Sequence, residues 1–109
     1  MGNVIQKPPG YLKAPGKRLW RDVTAQFALE PFHLHILAGA CQAADRMEEA
    51  RSILDADGLV VLDAKGTARP HPCVSVERDS RTAMLRALRE LALDAAADEV
   101  RPPRIVGRY

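Results

Sequence analysis

From Pro31 to Gly58 apolar residues recur with the ~3.6-residue period of an α-helix, and no proline interrupts the run after its first residue. Leu34, Leu37, Ala38, Cys41, Ala44, Met47, Ala50 and Leu54 share one stripe, while Asp45, Glu48, Glu49 and Arg51 take the other face. Pro31 suits the first helical position, where its missing N–H would have no partner in any case. Gly58 supplies the stop, because it can leave the helix through backbone angles other residues avoid. A helix of this length is the spine on which the remaining elements must pack. Composition agrees: 47% of the residues are hydrophobic but only 5% aromatic, so the core must come from Leu, Ala, Val and Met. Such a core favours packed helices over a β-sandwich, and 109 residues make one domain.

The flanking segments follow from the same rules. Residues 1–16 hold Pro8-Pro9-Gly10 and Pro15-Gly16 and predict an extended, flexible basic arm outside the core. A first helix is expected from near Lys17 to near Leu29, with Leu19, Trp20, Val23 and Phe27 on its apolar stripe. After Gly58, Leu59–Leu62 and Thr67–Arg69 flank the turn residues Asp63–Gly66, the pattern of a small hairpin. His71-Pro72 then opens a third helix. Val76, Ser80, Ala83, Met84, Ala87, Leu88 and Leu91 form one face of it, and Leu85 and Ala92 widen that face enough to serve two neighbours. From Asp94 the pattern dissolves, and residues 94–109 predict a flexible tail. The fold class expected is mainly α. It comprises a three-helix body over 17–93, a helix-turn-helix-like N-terminal pair, a β-hairpin between the second and third helices, and flexible basic termini.

Charge is unevenly placed. Lys7, Lys13, Lys17, Arg18 and Arg21 occur with no acid among them, and Arg101, Arg104 and Arg108 repeat this at the other end. All 14 acidic residues lie between, so the formal net charge of +2 conceals an acidic body with basic ends. Basic ends on an acidic body suit a polyanion or an oppositely charged neighbour. Lys13, Lys17, Arg18 and Arg21 flank the start of the first helix, where duplex phosphates could accept them. Two helices joined by a short turn are compatible with a helix-turn-helix, although most such pairs merely pack together.

Other chemistry is poorly supported. His33, His35, Cys41, His71 and Cys73 lack the close pairs that zinc prefers, and His33 and His35 would project to nearly opposite sides of one helix. There is no Gly-x-Ser-x-Gly elbow, and Gly16-Lys17 lacks the other residues of a phosphate loop. No catalytic residue, metal or cofactor is therefore expected. No apolar run approaches the ~20 residues of a membrane span. The start, MGNVIQKPPG, shows no signal-type stretch, and Gln6 replaces the Ser or Thr of a myristoylation signal. Two widely spaced cysteines without a secretory signal fit reduced thiols, so a cytoplasmic location is expected.

The order of residues resembles the phage terminase small subunits. The likeness runs from Gly16 to Leu93. It comprises Leu19-Trp20-Arg21; Leu37 with Ala40-Cys41-Gln42-Ala43-Ala44-Asp45-Arg46; Gly58 and Gly66; and His71-Pro72 followed by an Arg-rich helix ending Leu88-Arg89-Glu90-Leu91. The tail departs from the pattern, since Leu91-Ala92-Leu93-Asp94 stands where such proteins often carry Leu-Gly-Leu. The resemblance implies a non-enzymatic, ring-forming homo-oligomer in the host bacterial cytoplasm. Such a protein binds double-stranded viral DNA and hands it to a large subunit carrying the ATPase and nuclease. On this reading Lys7, Lys13, Lys17, Arg18 and Arg21 grip DNA, and Met84, Leu85, Leu88 and Leu91 are candidate core or subunit-interface positions. The alternatives are a helical module that docks on a partner without touching DNA, and a small dimeric helix-turn-helix regulator.

Overall fold

In the computed structural model, which describes residues 6–98 and the side chains of 6–91, the chain forms three helices and a hairpin. They are α1 (Ala14–Gln26), α2 (Pro31–Asp57), β1 (Val60–Leu62), β2 (Ala68–Pro70) and α3 (Pro72–Asp98). The class is the mainly helical one expected, with the hairpin between the second and third helices. No described helix is long and apolar enough to cross a membrane.

The long helix starts and stops where its punctuation dictates. Glu30, before Pro31, is extended at φ −76° and ψ 162°, as the following proline ring requires. Gly58 leaves the helix at φ +87°, and its N–H still reaches the Leu54 carbonyl at 2.7 Å. The limits of the other two helices differ from the expectation. α1 begins at Ala14 rather than near Lys17, because Pro15 falls in its first turn, where a missing N–H costs little. It ends at Gln26 rather than near Leu29, with Phe27 already extended at φ −129° and ψ 139°. α3 continues past Asp94 to Asp98, since alanine-rich sequence is a good helix former even where no apolar stripe directs it. Residues 99–109, the remainder of the expected tail, lie outside the described residues.

The core forms where α1, α2 and the far end of α3 meet. Leu12, Trp20, Leu37, Cys41 and Leu91 are its buried members, with Leu19, Val23, Leu29, Leu34, Ile36, Ala38 and Leu88 packed around them. Leu12 lies in the segment expected to stay outside the core. A turn closed by its N–H on the Pro9 carbonyl (3.2 Å) carries it inward, and the Trp20 indole N–H donates to the Gln6 carbonyl at 2.9 Å. The breakers Pro8-Pro9-Gly10 thus fold the chain back onto α1. Burying one leucine is worth roughly 1.5–3 kcal/mol, enough to favour that return. Among the described residues, α2 also meets α3 over the largest helix–helix interface.

His71 joins the hairpin to both long helices. Its backbone N–H donates to the Leu59 carbonyl at 2.8 Å, and its Nδ1 accepts the Cys73 N–H at 3.0 Å, capping the start of α3. With Nδ1 accepting, the ring proton sits on Nε2, which faces the Asp57 carboxylate at 3.0 Å. At the hairpin tip Asp63 accepts the N–H groups of Lys65 and Thr67, each at 2.9 Å, and meets Arg69 Nε at 3.0 Å. The Thr67 N–H, the Arg69 guanidinium and the Lys65 N–H hold the Asp63 carboxyl below its usual range.

Candidate nucleic-acid interface

α1 is built to expose cations on one side because its other side is committed to the core. Gly16 and Trp20 are buried and Val23 is half-buried. A helix turns ~100° per residue, so Lys17, Arg18 and Arg21 share an arc of about 100° on the opposite side, with Lys13 one turn before Lys17. Arg18, Arg21 and Lys13 are exposed and Lys17 is half-buried. Lys7 is exposed on the returning segment ahead of α1. Among the described residues, the ion pairs link Arg51 to Glu48, Arg69 to Asp63, His71 to Asp57, Arg78 to Asp79 and Arg81 to Glu77. None draws on the α1 cations.

The orientation of that face is set from α2. Lys13, the residue that starts α1, offers no side-chain cap. Asp45 of α2 supplies one instead: its Oδ2 accepts the Lys13 N–H at 2.8 Å and its Oδ1 the Gly16 N–H at 2.7 Å. These are the two amides that a capping box satisfies locally, here satisfied by one carboxylate from another helix. Its negative charge also complements the positive end of the α1 dipole. The approach is close enough to demand glycine at 16. A Cβ there would stand 2.8 Å from the Cys41 carbonyl oxygen and 2.9 Å from Asp45 Oδ2. Burial, with the nearby Asp45 charge second, pushes the Cys41 thiol up to about 12 from 9.0. Because Asp45 already occupies the start of α1, an anion on this face would meet side chains rather than helix-end amides.

The structure treats the α3 candidates unequally. Leu91 is buried and Leu88 packs against the core, so both serve the chain's own interior. Met84 is half-buried, and Leu85 alone of the four is exposed, at 50%. The apolar stripe of α3 is wider than α2 can cover, and Leu85 falls on the uncovered margin.

A polar stripe on α2 escaped notice in the sequence. His35, Gly39, Gln42 and Arg46 recur at helical spacing and all are exposed. Gly39 has open space where a Cβ would project. Two of its residues, Gln42 and Arg46, line with Ala43 a shallow groove of about 290 Å³ against Asp79, Ser80 and Ala83 of α3. The helical period applied to polar rather than apolar residues would have marked it.

The remaining chemistry-bearing residues have structural duties. Cys41 is core, His71 caps α3, and His33 Nδ1 accepts the Glu30 N–H at 3.1 Å at the start of α2. Among the described residues no three His, Cys, Asp or Glu side chains gather into a metal-binding group. The family described as phage terminase, small subunit matches residues 16–100. No curated protein and no solved structure matches the chain.

Proposed function

The chain belongs to the phage terminase small-subunit family, and on that premise we propose that it binds double-stranded viral DNA through the basic face of α1. The observation that carries this reading is the set Lys13, Lys17, Arg18 and Arg21. Among the described residues no carboxylate pairs with these cations, and the Asp45 cap orients their helix. Lys7 adds a fifth positive charge nearby. Each cation contacts a phosphate and carries no sequence information, so the contacts position the duplex rather than read it.

The subunit acts without chemistry of its own, recognising viral DNA and regulating the large subunit that carries the ATPase and nuclease. It works as a homo-oligomeric ring in the host bacterial cytoplasm, with Leu85 and the half-buried Met84 as the part of α3 free to meet a neighbour. Repetition around such an assembly turns weak phosphate contacts into useful affinity.

The test is duplex binding by fluorescence anisotropy across a salt series, comparing the natural chain with the triple variant K17A/R18A/R21A. Binding should weaken steeply with salt, and the triple variant should lower the log–log salt slope by about 3, or roughly one per lost phosphate contact. Unchanged affinity and slope would remove DNA from α1 and favour the docking-module reading.

A further inference from the structure

Among the described residues, the hairpin has one strand edge that is blocked and one that nothing pairs. β1 pairs antiparallel with β2 in the register Val60↔Pro70, Val61↔Arg69 and Leu62↔Ala68. The flanking bonds, His71 N–H to the Leu59 carbonyl and Asp63 N–H to the Thr67 carbonyl at 3.0 Å, fix which pairs exchange hydrogen bonds. Bonded and non-bonded pairs alternate in an antiparallel ladder. Val61↔Arg69 is therefore a bonded pair, while Val60↔Pro70 and Leu62↔Ala68 are not. The N–H and C=O groups of Val60 and Leu62 consequently point away from β2, along the free edge of β1.

The two edges differ in what they present. On β2 the outward groups belong to Ala68 and Pro70, and proline has no N–H to offer, so that edge cannot complete a ladder. Charged Arg69 lies between them. On β1 no proline or charge interrupts Leu59–Leu62. Its side chains are unusually bare: Leu59 is 65% exposed, Val60 55% and Leu62 70%. Natural sheets protect such an edge with charge, proline or a covering element unless another strand is meant to add there. A two-stranded hairpin is also marginal alone.

We propose that β1 pairs antiparallel with β1 of a second copy of this chain, making a four-stranded sheet across a two-fold axis at Val61. That register uses every outward group. Val60 exchanges both hydrogen bonds with the partner's Leu62, and Leu62 exchanges both with the partner's Val60. It places valine beside leucine on one face and sets no charge opposite a like charge. The sequence Val60-Val61-Leu62 is thus complementary to itself under the two-fold operation that such an interface requires. The pairing is independent of DNA binding by α1, and, being two-fold, it joins copies from two rings rather than neighbours within one ring, the contact left to Leu85.

The experiment uses the full chain with Val61→Cys in a Cys73→Ser background. Val61 would form a non-bonded pair with the partner's Val61, with Cα atoms about 4.5 Å apart, within reach of a disulfide. Mild oxidation should give a covalent dimer on a non-reducing gel. In the same chain without added cysteine, Leu62→Lys should halve the light-scattering mass with an unchanged thermal melt, since that side chain is largely exposed. Val60→Pro, which removes one outward N–H and leaves the β1–β2 ladder intact, should do the same. No disulfide dimer, or a mass unaffected by Leu62→Lys and Val60→Pro, would overturn the pairing. A chain that cross-links at Val61 yet ignores DNA would sink the DNA reading and leave this one standing.

Discussion

Replacing Asp45 by alanine removes both acceptors that hold the start of α1, and nothing in the first turn of that helix can substitute. Lys13 offers no side-chain cap, and the next residues are Ala14 and Pro15. Loss of an N-cap acceptor typically costs about 1 kcal/mol. A carboxylate that also complements the helix dipole adds roughly 0.3–1 kcal/mol. The bond to Gly16 is partly buried, and leaving that amide without a partner adds about 1 kcal/mol more. The bond to Lys13 is exposed, so water replaces it at small cost. The expected sum is about 2–3 kcal/mol, or roughly 10–20 °C in melting temperature for a domain of this size. Asp45→Asn keeps one acceptor and should lose about half as much. The partner change Gly16→Ala forces a methyl to within 2.8 Å of the Cys41 carbonyl, an overpacking cost of about 1–3 kcal/mol. In an Asp45→Ala background that cost should shrink, because the carboxylate oxygens leave while the Cys41 carbonyl stays. Urea unfolding of the four variants, followed by circular dichroism, gives all these values. An Asp45→Ala loss below about 0.5 kcal/mol, or strict additivity with Gly16→Ala, would refute the capping argument.

Further outcomes follow from His71 and Cys41. His71→Ala should cost about 1–2 kcal/mol through loss of the Cys73 cap, while Asn, itself a capping residue, should recover most of it; chemical denaturation measures both. Cys41, with its thiol pushed up to about 12, should resist alkylation at pH 8 until denaturant is added, as a mass-resolved labelling time course would show. A raised thiol pKa contributes stability that is complete below about 9 and is lost as pH climbs towards 12. Cys41→Ala should therefore flatten the alkaline end of the stability profile.

Much of the fold was legible because it depends on local rules. Pro31, Gly58 and Pro72 mark helix ends through backbone geometry that neighbours cannot alter, and the hairpin follows from turn residues between short apolar runs. The cations of α1 were likewise visible, since a run of Lys and Arg without acid is a property of composition and order. Their common face needed only the helical period.

What stayed hidden were relations between residues far apart in the chain. Asp45 reads as one more polar residue on an exposed helix face, yet it caps a helix that begins 31 residues earlier. Gly16 reads as a breaker beside Pro15, whereas its lack of a side chain is what lets α1 approach α2. Leu12 sits among prolines and still enters the core, because a turn brings it back to Trp20 and Leu91. Spacing puts Met84, Leu88 and Leu91 on one stripe of α3 with Leu85 at its margin, but a helix stripe does not say how much of itself a neighbour covers. Helix periods, breakers and charge order belong to the sequence by itself, since each is settled within a few residues. The cap on α1, the partition of α3 between core and surface, and the open edge of β1 were decided only by tertiary structure, because each depends on which distant surfaces meet.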